Sequence, residues 1–196
     1  HSFSFDFVKK DNNTTQLNGN NVIGFIDNFK SKTIVLGAHY DHLGENEFGQ
    51  GRTINHDSHF YPGADDNASG VALLLNLAKD LYAKRDLLNA NYIIAFFSAE
   101  ELGLHGSKNL VKDLSENQIA IHAMLNFDMV GRLIPEKKLV VDGVASAKVF
   151  DSLLNIAQQS SSLVLDKNDS GVGGSDYTSF YLNDIPSVSF TTGVHN

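Results

Sequence analysis

The feature that most constrains the fold is a continuous apolar run, Tyr92 to Phe97 (YIIAFF), followed closely by two adjacent glutamates. Strands that are buried on both faces appear as unbroken apolar runs, whereas half-exposed strands alternate apolar and polar residues. The run therefore predicts a strand inside a parallel sheet, with helices packed against both faces of that sheet.

Strand and helix patterns alternate along the rest of the chain. Further strands are predicted at 22–26, 33–39, 123–127, 138–141 and 187–191, and helices at 69–82, 105–114, 145–158 and 175–182. This alternation predicts the α/β class, with a mixed, mostly parallel central β-sheet flanked by helices on both faces.

Three local features extend this interpretation. The short polar connection at 27–32 favours a hairpin between the strands on either side of it. The polar, glycine-containing stretch at 44–62 (with Gly44, Gly49, Gly51 and Asn55) predicts a long surface loop. Asn67 or Ser69 would cap the helix that follows.

Composition excludes several classes of function. The chain has 196 residues, a length that suits one domain with a substantial core, and a net charge of -8, which disfavours a nucleic-acid partner. It has no cysteine, so disulfides, thiolate catalysis and cysteine-type zinc sites are excluded. No apolar run approaches the roughly 20 residues of a membrane span. Residues 1–10 lack the apolar core of a signal peptide.

Acidic and histidine-containing segments follow the predicted strands or precede a predicted helix. Each segment alone has an ordinary interpretation as a solvated strand end or a helix N-terminus. Because the carboxyl ends of parallel strands meet at one edge of a sheet, these side chains are expected to converge there. They are His39 and Asp41, Asp65 and Asp66, Glu100 and Glu101, and Asp128.

Converging carboxylates repel one another unless a cation lies between them. The sequence has no basic cluster in these segments that would supply that charge. A pair of divalent cations removes the repulsion, and oxygen and imidazole ligands suit zinc, with manganese or cobalt as alternatives. The pattern therefore predicts a metal centre.

In this order the segments resemble the M28 family of metallopeptidases, which are two-zinc aminopeptidases. The matching motifs, between Val22 and His195, are GAHYDHLG, PGADDNASG, SAEELGLHGS, NFDMVGR and GGSDYTSF. The resemblance implies a zinc-exopeptidase fold of the phosphorylase/hydrolase type. It also implies a single catalytic domain over 1–196 that lacks its C-terminal part, and a secreted or periplasmic location.

The resemblance also implies a ligand set for two zinc ions. His39 and Asp128 would bind one ion, Glu101 would bind the other, and Asp66 would be shared between them. A cis peptide bond after Asp66 is expected with this arrangement. The substrate would be a peptide with a free N-terminus, and the product its released first residue.

The remaining roles concern catalysis and the substrate. Glu100 would be the general base that takes a proton from the attacking water. Asp41 would hold the ring of His39. The resemblance puts Gly173, Gly174, Ser175, Asp176 and Tyr177 on the substrate side.

The sequence departs from the family pattern at two positions. The family usually has a further zinc-binding histidine in a His-x-Asp-Tyr-His segment, and His195 resembles only the first histidine of that segment. We therefore expect a fifth protein ligand beyond Asn196. Tyr177 stands where relatives often carry histidine, a change that bears on substrate contacts more than on activity.

Three other functions stay open. A glutaminyl-cyclase-like acyltransferase would use one zinc ion, and the presence of His39 with Asp41 favours the peptidase over it. A non-catalytic relative that binds peptides would need no complete ligand set. A carboxypeptidase would need a cation for the substrate carboxylate, for which Arg52 and Arg132 are the candidates. The sequence does not determine the oligomeric state.

Overall fold

The computed structural model describes residues 1–8, 12–45, 60–133 and 138–193. Most of the predicted loop at 44–62 lies outside these residues, as do Arg52 and His195. The strands are β1 (Ser2–Val8), β2 (Thr14–Asn20), β3 (Val22–Ile26), β4 (Thr33–His39), β5 (Asn91–Phe97), β6 (Ala123–Phe127), β7 (Lys138–Asp142), β8 (Val164–Lys167) and β9 (Ser187–Thr191). The α-helices are α1 (Gly70–Ala83), α2 (His105–Glu116), α3 (Lys148–Gln159) and α4 (Tyr177–Tyr181).

Seven of these strands form one sheet in the order β3-β5-β4-β6-β9-β7-β8. The central pairings β5 with β4, β4 with β6 and β6 with β9 are all parallel, as is β7 with β8. β3 pairs antiparallel with β5, and β7 pairs antiparallel with β9. The predicted mixed, mostly parallel sheet is confirmed.

Helices cover both faces of this sheet, as the apolar run predicted. On one face, Leu110 and Val111 of α2 and Phe180 of α4 pack against β4, β5 and β6. On the other face, Leu74 of α1 packs beside β4 and β5, and α3 packs on the same side farther along the sheet. Accordingly, β5 is buried on both faces.

The predicted hairpin between β3 and β4 is wrong. β5 lies between these two strands, antiparallel to β3 and parallel to β4. The connection at 27–32 instead lies beside the start of β5. There the Asn91 side-chain oxygen accepts hydrogen bonds from the backbone N–H groups of Asn28 and Lys30. The strand with two apolar faces takes the more buried position, and its neighbours pair on either side of it.

The N-terminal segment is a feature that the sequence analysis missed. β1 and β2 form a separate antiparallel hairpin, from the pair Ser2 and Asn20 to the pair Val8 and Thr14. Phe5 and Phe7 are buried, and Asp6 between them is exposed. This alternation of aromatic and polar residues is the ordinary signal of a half-buried strand. The short edge strand β8 was also missed.

The topology brings the candidate site residues to one edge of the sheet. β4 and β5 end side by side, with His39 paired to Phe97, and β6 ends beside β4 on its other side. The segments that follow these strands carry Asp41, the two glutamates and Asp128. Within the described ranges, no helix combines the length and the apolarity needed to cross a bilayer.

Packing at the centre of β4 generates a prediction. A Cβ on Gly37 would lie 2.5 Å from a ring carbon of Phe97 and 2.8 Å from the Met124 methyl group. We expect Gly37→Ala to lower the free energy of unfolding by about 1–3 kcal/mol, because the buried Phe97 ring has little room to move. Urea denaturation measures the change.

The matched control is Gly24→Ala in edge strand β3. The nearest atom to a Cβ there is 3.7 Å away, an ordinary contact. We expect this variant to be neutral or to gain up to about 1 kcal/mol. Equal losses in both variants would contradict the packing described for β4.

Candidate metal centre

The centre of the site is the buried imidazole of His39. Its Nε2 atom lies 3.2 Å from Asp66 Oδ1 and 3.3 Å from Asp128 Oδ1. Its Nδ1 atom lies 3.1 Å from the backbone oxygen of Asp41. Because a carbonyl oxygen only accepts hydrogen bonds, Nδ1 is the donor, and Nε2 faces the two carboxylates.

These three side chains form a group that can bind a metal ion. One ligand atom each from His39, Asp66 and Asp128 lies within 4.8 Å of the other two. Burial alone would lower the pKa of His39, but the facing carboxylates of Asp128, Asp41 and Asp66 raise it well above its usual value. The carboxylates that favour a proton at Nε2 would likewise favour a divalent cation beside them.

Asp66 is held by an irregular segment before α1. The bond between Asp66 and Asn67 is cis, as the resemblance implied. The buried Asn67 side chain accepts hydrogen bonds from the N–H groups of Gly70 and Met129 and donates one to the Phe127 oxygen. Asn67 therefore caps α1, as one of the two predicted residues, and joins the segment of Asp66 to that of Asp128.

The acid that precedes Asp66 has a different role. Asp65 Oδ1 accepts a hydrogen bond of 2.8 Å from the Gly131 N–H. Ser69 Oγ donates to the Asp65 backbone oxygen and accepts from the Val130 N–H. Asp65 and Ser69 thus form a second link between the segments of Asp66 and Asp128, while Asp66 alone of the acidic pair faces His39.

Asp41 interacts with the glutamates as well as with His39. Its two carboxylate oxygens accept hydrogen bonds of 3.1 Å and 3.2 Å from the backbone N–H groups of Glu100 and Glu101. Its Oδ1 atom is 3.7 Å from His39 Nδ1, beyond hydrogen-bond distance. The Asp41 backbone oxygen therefore orients the His39 ring, and its carboxylate orients the two glutamates.

Glu100 and Glu101 complete the acidic cluster. Glu100 is buried, and its Oε2 atom lies 4.0 Å from His39 Nε2. Glu101 is half-buried and lies outside the group formed by His39, Asp66 and Asp128. Burial raises the pKa of Glu100 to about 10 and that of Glu101 to about 7, and the nearby Asp66 adds to the effect on Glu101. Both shifts indicate carboxylates without enough positive charge nearby.

The described residues supply no basic side chain to this cluster. Within them, the ion pairs of Asp66, Glu100 and Asp128 are all with His39, and no lysine or arginine pairs with any of these acids or with Glu101. Buried carboxylates of this kind normally bind a cation. The donor set of one imidazole and several carboxylates fits zinc.

The residues predicted for the substrate side differ in exposure. Gly174 is exposed, and a Cβ there would have nothing within 4 Å. Ser175, Asp176 and Tyr177 are buried, and the Tyr177 ring belongs to the core cluster beneath α2. Burial raises the pKa of Asp176 to about 7 and that of Tyr177 to about 12. Their substrate roles stay predictions, and Gly173 and Gly174 are the residues of this set that solvent reaches.

Residues 21–196 match peptidase family M28. The chain belongs to this family. A probable leucine aminopeptidase from Trichophyton verrucosum is 28% identical over 174 residues, which cover 85% of this chain and 44% of that protein. The M28 match therefore agrees with the motifs that surround the acidic cluster.

Solved structures agree on the fold. The LapA aminopeptidase of Legionella pneumophila superposes with a TM-score of 0.73 at 24% identity, over 100% of this chain and 49% of that one. BSAP, a zinc aminopeptidase from Bacillus subtilis, superposes with a TM-score of 0.66 at 27% identity, over 92% of this chain and 40% of that one. The chain thus spans less than half the length of these relatives.

A glutaminyl cyclase from Bacteroides thetaiotaomicron has the same fold. It superposes with a TM-score of 0.71 at 20% identity, over 96% of this chain and 68% of that one. At this identity the likeness extends to the fold alone. The fold alone therefore does not identify the reaction, which depends on the residues of the site.

The unbalanced acids of the M28 site predict a pH dependence of stability. The folded, metal-free chain binds protons on Glu100 and Glu101 more tightly than the unfolded chain, because their pKa values are raised from 4.5 to about 10 and about 7. Unfolding then releases protons, so the free energy of unfolding falls as pH rises above about 4.5. The raised pKa of His39 acts in the same direction.

We therefore expect the urea midpoint of the chelator-treated chain to decrease between pH 5 and pH 8. Zinc should raise the midpoint most at pH 8, because the ligands must lose their protons to bind it. A metal-free midpoint that stays constant or rises over this range would contradict the electrostatics of the site.

Proposed function

We propose that the chain carries the catalytic site of a zinc-dependent aminopeptidase that releases the first residue of peptides. The observation that carries the proposal is the buried His39, whose Nε2 faces two carboxylates at 3.2 Å and 3.3 Å beside Glu100 and Glu101. Membership of the M28 family and the likeness to zinc aminopeptidases support this interpretation.

We propose that two zinc ions are held by His39, Asp66, Glu101 and Asp128. Asp66 is suited to be the shared ligand, because it lies beside His39 and also affects Glu101. Burial raises the pKa of Glu101 most, and Asp66 raises it more than the other acids do. When bound, zinc would polarise the peptide carbonyl and lower the pKa of water. The count of two ions and the role of each ligand are part of the proposal.

Glu100 is proposed as the general base. It is buried, its backbone is fixed by Asp41, and its Oε2 atom points toward the ligand cluster at 4.0 Å from His39 Nε2. From there its carboxylate would accept a proton from the attacking water and pass it to the leaving amine. Charge from bound metal would bring its pKa down from the value of the metal-free site.

The acidic cluster favours a substrate with a free amino group. The carboxylate charge that bound metal leaves uncompensated would attract a cationic N-terminus and repel a C-terminal carboxylate. Of the arginines considered for a carboxypeptidase, Arg132 lies 3.7 Å from Asp65 Oδ2 and so faces an acid already, and Arg52 is outside the described residues. Aminopeptidase action is therefore the better supported of the two exopeptidase activities.

The glutaminyl-cyclase-like activity is the second candidate. The likeness in fold supports it. It needs an N-terminal glutamine, whose α-amine would attack the side-chain amide carbonyl and release ammonia, so substrates distinguish it directly from peptide hydrolysis. A secreted or periplasmic location also stays a prediction.

Substrate assays test the function. With zinc present, we expect leucyl-p-nitroanilide to be hydrolysed and its N-acetyl derivative to be left intact, because the blocked amine is uncharged. Release of nitroaniline measures the rate. Ammonia release from glutaminyl peptides without peptide cleavage would favour the cyclase, and zinc binding without either reaction would favour a peptide-binding role.

The role of Glu100 is tested by Glu100→Gln. We expect the turnover number to fall by about 10²–10⁴-fold while the zinc content by elemental analysis equals that of the parent chain, because the amide cannot accept the proton. Glu116→Gln is the control, since Glu116 is exposed in α2 and its ion pair within the described residues is with Lys112, at 3.8 Å. Full activity in Glu100→Gln would exclude Glu100 as the base.

A further inference from the structure

We propose that Asn21 is a positioning residue, which holds the segment 98–106 so that Glu100 and Glu101 face the metal centre. The inference rests on the proposed function for the roles of the two glutamates. Asn21 lies between β2 and β3 and is 3% exposed, and its side-chain hydrogen bonds go to His1, Ser98 and Gly106 and not to His39, Asp66 or Asp128. It acts through the backbone of the segment that carries the glutamates.

The segment 98–106 needs support because it is irregular. Ala99 and Leu104 have φ angles of 57° and 60°, in the left-handed region that costs energy for residues with a Cβ. Within the segment, the Glu100 oxygen accepts the N–H groups of Gly103 and Leu104 in a tight turn. Such a conformation persists when surrounding contacts fix it.

Asn21 bridges the two ends of this turn. Its Oδ1 atom accepts a hydrogen bond of 3.1 Å from the Ser98 N–H, where β5 has ended. Its Nδ2 atom donates a hydrogen bond of 2.9 Å to the Gly106 oxygen, in the first turn of α2. One buried amide therefore fixes the distance between the end of β5 and the start of α2, with the glutamates between them.

The bridge leaves little space for other side chains. A Cβ on Gly106 would collide with the backbone oxygen of Ser98 and with the Asn21 amide oxygen. The strand end, the helix start and the Asn21 amide are thus in direct contact. A shift of one of them moves the others.

The N-terminal hairpin shields this bridge from water. Phe5 and Phe7 of β1 pack against Ala99 of the segment, with Leu102 beside them. The Phe5 ring stacks on the His105 ring at a centroid distance of 3.9 Å. Because Asn21 is buried, its hydrogen bonds are stronger than they would be in water.

The segment is therefore fixed from two sides. On the side of the metal centre, the Asp41 carboxylate binds the N–H groups of Glu100 and Glu101. On the opposite side, Asn21 binds the ends of the segment. Loss of Asn21 would leave the Ser98 N–H without this acceptor, and of the two side chains that bind the segment from outside only Asp41 would remain.

The first test is Asn21→Ala, measured by zinc affinity in competition with a chelator. Outer hydrogen-bond partners of a metal site typically contribute 10–100-fold in affinity or activity, and we expect weakening of about 10–100-fold here. Hydrogen exchange of the metal-free chain should become faster in 98–106. On leucyl-p-nitroanilide at saturating zinc, the turnover number should fall while KM stays unchanged.

The matched control is Asn20→Ala. Asn20 is the exposed neighbour of Asn21, and the hydrogen bond it accepts from the Tyr40 hydroxyl is made by its backbone oxygen. This variant should keep the zinc affinity, the exchange in 98–106 and the turnover number of the parent chain. A loss equal to that of Asn21→Ala would overturn the proposal, because any change near the hairpin would then suffice.

The second variant is Asn21→Ser, whose neutral hydroxyl keeps a polar group at the site but is too short to bridge Ser98 and Gly106. If the alanine variant does not fold, this one carries the test, and we expect intermediate weakening of zinc binding with faster exchange at the start of α2. A folded variant with a lower melting temperature but unchanged zinc affinity and exchange in 98–106 would show a merely structural role and overturn the proposal.

The zinc and exchange measurements need no substrate. If the parent chain binds zinc but hydrolyses no aminoacyl anilide, the proposed function fails while these two measurements still decide the role of Asn21. If the chain is an active aminopeptidase and the Asn21 variants match Asn20→Ala, the positioning role alone fails.

Discussion

The rest of the site depends on the repulsion among buried carboxylates around one imidazole. Burial raises the pKa values of Glu100, Glu101 and Asp176. Within the described residues, His39 is the positive charge that lowers them. Such an arrangement is unfavourable by itself, because each acid is removed from water without a matching cation. A divalent ion converts the same arrangement into a binding site. Stability and metal binding are therefore expected to be coupled, and pH acts on both through the same protons.

The fold opposes this repulsion with hydrogen bonds between side chains and the backbone of neighbouring segments. Asn67 and Ser69 bind the backbone after β6, and Asp41 binds the backbone after β5. None of these bonds uses the carboxylate oxygens of Asp66 and Asp128 that face His39, so these atoms stay free to bind a metal ion. The parallel strands supply the common edge, and the buried polar side chains set the distances between the segments at that edge. Precision of this kind is what a metal site requires of its surroundings.

The sequence predicted the sheet better than it predicted the connections. The apolar run of β5 and the ends of β4 and β6 follow from local hydrophobic pattern, which burial on both faces makes unambiguous. The hairpin at 27–32 was wrong because strand neighbours depend on which strand is most buried, and no local turn signal reports that. The hairpin of β1 and β2 was predictable from the alternation of phenylalanine with polar residues, but its contact with Ala99 was not, because it joins residues far apart in the chain.

In the site, too, local pattern was predictable and contacts between distant segments were not. His39, Asp66 and Asp128 could be expected to meet because each lies near a strand end or a helix start at one edge of the sheet. Asn21 and Asn67 carried no such signal, since a single asparagine in a sequence is ordinarily a turn or a cap. Their importance comes from burial combined with two or three hydrogen bonds to backbone groups of other segments. Acid-rich sites of this kind should generally need such amides, because a neutral side chain can join two backbone segments without adding to the repulsion that the metal must overcome.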